Sequence, residues 1–159
     1  MSARYALACA AATVILTACT PNGIGVANGG GGGGGGVTHT VDVNLTQNLP
    51  VSTPYGSSGG MKPPILNVKV GDTIVFHNSD SFMHTSTSVP AAAGTKFPAA
   101  GPTGSALTQH GATLSGGWSS GVLQPGSSSQ AVTADKAGTY LYGCFYHYPA
   151  PMRGAIVAQ

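Results

Sequence analysis

The chain contains very few charged side chains. Its 159 residues include four acidic and six basic residues, and the formal net charge is +2. Six bases cannot form the broad basic face by which nucleic-acid-binding proteins are recognised. The same scarcity excludes strong long-range steering of a charged partner. The sequence therefore predicts a protein that binds no nucleic acid.

The sequence also lacks helical patterning. No segment shows the apolar spacing of an amphipathic helix of ordinary length, and no internal repeat is present. Gly, Ser, Thr, Ala and Pro are abundant, which favours short strands and turns. Strand-like runs, several with apolar and polar residues in alternation, cover residues 37–46, 66–70, 73–77, 127–133, 139–144 and 154–158. We predict an all-β domain, a mostly antiparallel Greek-key sandwich or barrel.

Three finer expectations concern the connections. The Gly71-Asp72 turn between residues 66–70 and 73–77 predicts a hairpin. Residues 48–64, which are rich in Pro and Gly, are predicted to form a loop. Residues 89–121 show little periodicity and predict a long irregular insertion, with one short helix or strand in it, before the penultimate strands.

No apolar run at the N-terminus is long enough to span a bilayer comfortably. Arg4 precedes a mostly apolar stretch over residues 5–16, which small residues follow, and this order is typical of an export signal. Residues 1–18 are therefore predicted to be a signal peptide of the lipoprotein type. The eight glycines of residues 29–36 predict a flexible linker within residues 19–36. The folded domain is expected over residues 37–159.

The run Leu16-Thr17-Ala18-Cys19 resembles a bacterial lipobox. The resemblance implies that Cys19 becomes the lipidated N-terminus. Several acyl chains anchor a protein stably, whereas one binds only marginally. The domain would then lie at the periplasmic or extracytoplasmic face of the bacterial cell envelope, anchored to the membrane by lipid. The alternative is an ordinary secretory signal that is cut nearby, with Cys19 incidental.

Cysteine is scarce, and its positions matter. Of three cysteines, Cys9 leaves with the predicted signal and Cys19 carries the predicted lipid, so Cys144 stays alone in the folded domain. One unpaired cysteine cannot form an internal disulfide. A lone thiol in an oxidising compartment needs protection, and metal ligation is one way to supply it.

Cys144 begins a run with the spacing Cys-x2-His-x4-Met, which ends in His147 and Met152, and His84 lies upstream. Two His, one Cys and a weak axial Met are the ligand signature of a blue-copper electron-transfer site. Because Cys144 ends a predicted strand, the pleat fixes the direction of its side chain. The rival upstream ligand is His77, whose alternation with its neighbour points it away from the core.

Several segments resemble the plastocyanin-type cupredoxins over about residues 37–159. They are residues 70–76 with Asn78 and 81–84, residues 123–126, and residues 137–144 with His147, Met152 and 154–157. The resemblance implies a cupredoxin fold and one copper ion that cycles between Cu(I) and Cu(II). Its ligands would be His84, Cys144, His147 and Met152, with the Met axial.

The likeness has departures. Thr85 stands where plastocyanins often have an Asn that ties the two ligand loops together, and its hydroxyl is able to make a similar link. Tyr146 stands where plastocyanins often have Pro. The few acidic residues do not cluster, so the acidic recognition patch of plant plastocyanins does not transfer. A photosynthetic role therefore does not follow from the resemblance.

The predicted function is to shuttle single electrons between protein redox partners, which would be cytochromes or copper or haem oxidoreductases. A multicopper enzyme would need histidines beside the ligating cysteine, but Gly143 and Phe145 flank Cys144, so we predict that the protein is not an enzyme. We also expect a monomer. The alternative is a periplasmic copper carrier without a dedicated electron-transfer role. The aromatic and proline residues around His147 form either a docking surface or an ordinary packed loop.

Overall fold

The computed structural model describes residues 35–92 and 94–159. The predicted signal peptide, the predicted lipidation site at Cys19 and most of the glycine linker lie outside the described residues. The helical content of those residues is a single 3-10 turn, Gly104–Leu107. No helix there is long and apolar enough to cross a membrane.

Strands dominate the part of the chain that the structure describes. They are β1 Thr38–Val43, β2 Val51–Thr53, β3 Gly56–Ser58, β4 Met61–Lys62, β5 Ile65–Val68, β6 Thr73–Asn78, β7 Thr87–Val89, β8 Gln109–Thr113, β9 Gly117–Ser120, β10 Val132–Thr133, β11 Gly138–Gly143 and β12 Arg153–Ala158. The prediction of an all-β domain is confirmed.

Ten of these strands form one sheet that curls into a nearly closed barrel. The order is β4-β1-β6-β10-β8-β9-β7-β11-β12-β5, and β2 and β3 form a separate antiparallel pair. The two edge strands, β4 and β5, are joined in sequence by only Pro63 and Pro64. Because so short a link holds the edges together, the sheet must bend back on itself. Most neighbours are antiparallel, but β1–β6, β8–β10 and β5–β12 are parallel.

The barrel interior is an apolar core that reaches the predicted metal ligands. Phe76 contacts Trp118 and Tyr142, with ring centroids 6.1 and 5.2 Å away. Cys144 and Met152 belong to the same buried cluster. On β11 the side chains alternate, so Tyr142 faces this core while Leu141 faces a second cluster, which includes Tyr148. Since side chains two apart share a face, the strand aims Cys144 into the barrel as predicted.

The predicted hairpin over residues 66–77 is wrong. β5 pairs with β12, whereas β6 pairs with β1 and β10, so the two strands lie apart in the sheet. Asp72 accounts for this arrangement, because its carboxylate accepts hydrogen bonds from the backbone N–H groups of Val37 and Lys69, at 2.8 and 2.9 Å. The turn is thereby tied to the chain leading into β1, which pairs with β6.

Two other segments differ from expectation. The predicted loop over 48–64 contains β2, β3 and β4. The predicted insertion over 89–121 contains the 3-10 turn, in line with the one short element expected there, but it also contains two strands, β8 and β9. Glycine and serine have low strand propensity, so pairing with neighbouring strands decides these elements. Conversely, the predicted strand over 127–133 shortens to β10.

Candidate metal centre

Three predicted ligands come together at one end of the barrel. The ligand atoms of His84, Cys144 and His147 all lie within 4.8 Å of one another. The Cys144 Sγ atom is 3.8 Å from Nδ1 of His84 and 3.6 Å from Nδ1 of His147. His84 is 60 residues away from Cys144 in sequence, so only the tertiary fold can bring this pair together.

The backbone closes the loop after Cys144 into a fixed shape. The N–H of Cys144 donates to the carbonyl of Met152 at 3.0 Å. The N–H groups of Ala150 and Met152 both donate to the carbonyl of His147, at 2.9 and 3.2 Å. Cys144, His147 and Met152 are therefore held by main-chain bonds within a single loop. The short sequence spacing between them reflects this closed geometry.

Met152 is fully buried beside a glycine. A Cβ atom on Gly60 would stand 2.5 Å from Cγ of Met152, so only glycine leaves room for that side chain. The neighbouring Gly59 pairs with Met152 and receives a hydrogen bond from Arg153. Met152 therefore packs against the backbone of the residues that precede β4.

The segment that carries His84 is held by two features. His84 and Leu123 exchange backbone hydrogen bonds at 2.8 and 3.1 Å. The buried amide of Asn78 donates to the carbonyls of Phe82 and Leu123 and accepts from the N–H of Asp80. This network ties the end of β6 to the residues before His84 and to Leu123, its backbone partner, so the imidazole has a rigid support.

Thr85 links the two ligand segments. Its hydroxyl accepts a hydrogen bond from the N–H of Phe145 at 2.9 Å, and its own N–H donates to Sγ of Cys144 at 3.4 Å. Thr85 is fully buried. The link that the sequence left open is therefore present, and the thiol receives a backbone donor.

Asp80 makes a contact with His84 that the sequence did not predict. Its Oδ2 atom lies 3.1 Å from Nε2 of His84, and both side chains are buried. A carboxylate accepts only, so Nε2 carries the proton and Nδ1 presents its lone pair toward Cys144. The sequence did contain one signal for this contact. Asp80 is one of only four acidic residues in the chain, and it lies four residues before His84.

Burial sets the electrostatics of the three side chains. It lowers the pKa of His84 and that of His147, which favours the neutral imidazoles that bind metal ions. Burial raises the pKa of the Cys144 thiol, which hydrogen bonds from Thr85 and the loop backbone only partly offset. A cation held between the three groups would compensate a thiolate there, so the donor set fits a soft or borderline metal ion.

The three side chains differ in exposure. His84 and Cys144 are fully buried, whereas His147 is partly exposed. Phe82 and Tyr146 lie beside the His147 ring, with centroids 5.5 and 6.1 Å away, and each is more than a third exposed. One edge of the site therefore meets solvent through an imidazole with aromatic neighbours.

The remaining histidines lie elsewhere. His77 lies on β6, and its Nδ1 atom is 3.0 Å from the hydroxyl of Ser128. His39 pairs with Asp72, and His110 bonds to a backbone carbonyl of its own segment. Among the described residues, the group of potential metal ligands contains His84 rather than its rival His77.

Comparisons with known proteins add structural similarity. No protein-family model and no curated protein sequence matches the chain. The chain is similar to a purple cupredoxin from Nitrosopumilus maritimus, with 19% identity, 76% of this chain and 98% of that chain covered, and a TM-score of 0.47. It is also similar to a methionine-to-glutamine mutant of amicyanin in its Cu(I) form, with 19% identity, 77% of this chain and 82% of that chain covered, and a TM-score of 0.45. For oxidised plastocyanin from Dryopteris crassirhizoma the identity is 18%, the alignment covers 76% of this chain and 100% of that chain, and the TM-score is 0.45.

Proposed function

We propose that this protein is a mononuclear type 1 copper protein that carries single electrons. The observation that carries the proposal is the convergence of one thiol and two imidazoles within 4.8 Å at one end of a β-barrel. Bound copper would supply a one-electron couple between Cu(I) and Cu(II). Thiolate and imidazole together suit both oxidation states, and two His with one Cys define this class of site.

In this proposal Cys144, His84 and His147 would hold the metal, and Met152 would be a weaker fourth ligand. Support for the set comes from the main-chain bonds that close the loop and from the Thr85 link between the two segments. A site built on such fixed supports changes little in geometry when its charge changes. Full burial of Cys144, His84 and Met152 keeps water away from the thiol.

We propose that electrons pass through the exposed edge of His147 to a protein partner. The surrounding surface carries Phe82 and Tyr146, and residues 144–152 include no charged side chain. An apolar, uncharged surface suits brief docking of a redox protein such as a cytochrome or a copper or haem oxidoreductase. Partner choice would then depend on shape and apolar contact more than on charge.

The proposed role is that of a carrier rather than an enzyme. Gly143 and Phe145 flank Cys144, and neither offers a side chain that ligates a second metal. Among the described residues, the three-ligand group at His84, Cys144 and His147 is the site that the chain assembles. A single site of this kind transfers electrons without a second centre at which a substrate is converted.

We further propose that the domain lies in the bacterial cell envelope, anchored through lipid on Cys19. Support comes from the lipobox-like residues 16–19 and the preceding apolar stretch. Mass spectrometry of protein extracted from membranes should show a modified Cys19 at the N-terminus. A mature chain whose Cys19 is unmodified would contradict this location.

Copper loading tests the function directly. The full chain with Cu(II) should show an intense visible thiolate charge-transfer band, which Cys144→Ser should abolish and His77→Ala should retain. A colourless Cu(II) complex would refute the proposal. Electrochemistry separates the carrier alternative, since a reversible couple with fast self-exchange indicates electron transfer. Very tight Cu(I) binding with slow exchange would indicate copper transport instead.

A further inference from the structure

Asp80 is a buried carboxylate that points at a candidate ligand. It is 5% exposed, and its Oδ2 atom accepts from Nε2 of His84 at 3.1 Å and from the N–H of Leu45 at 2.8 Å. Its Oδ1 atom accepts from the N–H of Ser81 at 2.8 Å. Both oxygens of Asp80 therefore accept hydrogen bonds from N–H groups, which is the pattern of an ionised carboxylate.

This contact settles which nitrogen of His84 is available to a metal. With Nε2–H bonded to the carboxylate, Nδ1 has its lone pair directed toward Cys144 Sγ, 3.8 Å away. Ligating histidines commonly donate their second N–H to an acceptor, which fixes the ring and makes the ligand more basic. A full negative charge is the strongest such acceptor.

We propose that Asp80 is a positioning residue that holds His84 in its metal-binding tautomer and, through its charge, favours the more highly charged state of the bound ion. The inference rests on the proposed copper function and deepens it. An anion bonded to a ligand stabilises Cu(II) more than Cu(I), because the attraction grows with the charge of the ion. Asp80 therefore lowers the reduction potential of the site.

The chain contains a second carboxylate–histidine pair, Asp72 with His39, which lies outside the candidate metal site. Asp72 accepts through Oδ2 from Nε2 of His39 and from the N–H of Lys69, and through Oδ1 from the N–H of Val37. Asp80 has the same three kinds of acceptor contact and, in addition, the Thr46 hydroxyl 3.4 Å from its Oδ1 atom. His39 is outside the three-ligand group. Asp72→Asn is therefore the control: if losing a carboxylate that accepts two backbone hydrogen bonds has a general effect on the protein, this variant should show it as well.

The test compares Asp80→Asn, Asp80→Ala and Asp72→Asn in the full chain. Asp80→Asn should weaken Zn(II) binding by about 10- to 100-fold, the usual effect of losing such a partner. It should also lower the ratio of Cu(II) affinity to Cu(I) affinity by about tenfold, which raises the reduction potential by about 59 mV for one electron. Asp80→Ala should show larger effects, and Asp72→Asn should leave both quantities unchanged.

Equal Zn(II) affinity and equal potential in Asp80→Asn and the parent protein would overturn the proposal. If the Asp80 variants fail to fold, nitrogen-15 NMR of the metal-free parent decides. A proton on Nε2 of His84 supports the proposal, and a proton on Nδ1 overturns it. Failure of the copper function is a separate result, since a colourless Cu(II) parent would still permit the Zn(II) comparison and the tautomer measurement.

Discussion

Replacing Gly60 by alanine should disturb Met152, a residue far away in the sequence. Gly60 is buried with φ +68°, and an added Cβ would lie 2.5 Å from Cγ and 3.3 Å from Cβ of Met152. The backbone has little freedom to retreat, because the N–H of Gly60 donates to Asn48 at 2.7 Å and its carbonyl accepts from Asn44 at 2.9 Å. The first atoms of the Met152 side chain must therefore move.

The cost has two parts. A residue with a Cβ in the left-handed region costs about 1–2 kcal/mol. Overpacking a well-filled core costs about 1–3 kcal/mol more. Gly60→Ala should therefore lower the free energy of unfolding by about 2–5 kcal/mol.

Gly126→Ala is the matched control, because its φ of +76° imposes similar strain while no atom lies within 4 Å of the added Cβ. It should cost only the first part, about 1–2 kcal/mol. Equilibrium urea unfolding of the two metal-free variants measures the difference. Visible spectra of the copper-loaded forms should show a shifted band in Gly60→Ala alone. Equal stability and identical spectra in the two variants would refute the close packing of Met152 and Gly60.

Three further predictions concern the site and its surface. Thr85→Val should destabilise the protein by about 1–3 kcal/mol, because it leaves the partly buried N–H of Phe145 without an acceptor. Thr85→Ser keeps the hydroxyl and should cost less in the same unfolding assay. Burial holds the folded-state pKa of His84 and that of His147 below 6.5, so the unfolded chain binds more protons below that pH. The metal-free protein should therefore lose stability as the pH falls below about 6.5, whereas urea midpoints independent of pH from about 7.5 to about 5 would contradict buried neutral imidazoles. Electron-transfer rates with a protein partner should change little with ionic strength, because the loop around His147 is uncharged; a steep decrease with salt in stopped-flow measurements would argue against the apolar docking surface.

Much of the site follows from local sequence. The pleat of β11 fixes the direction of Cys144, and the short loop to Met152 brings His147 back to the same point. The alternation around Phe76 also points His77 away from the core, in agreement with its bond to Ser128. These statements depend on period and spacing over a few residues, which sequence reports reliably.

Strand pairing did not follow from local sequence. Gly71 and Asp72 mark a reversal of the chain, but β5 and β6 pair with other strands. The choice is made by long-range contacts such as the bond from Val37 to Asp72. Polar, small-residue strands such as β8 and β9 carry no strong period of their own, and they form because their neighbours in the sheet offer backbone partners.

Local patterns along the chain are enough to specify the all-β character, the ligand types and the order in which they occur, because strand period and short loops are local properties. Tertiary structure alone decided that His84 lies 3.8 Å from Cys144, that Thr85 bonds to Phe145 and that Asp80 bonds to His84. Each of those contacts either joins two segments 60 residues apart or depends on how one turn is buried. Their energies arise only when the barrel closes and water is removed, so no pattern along the chain contains them.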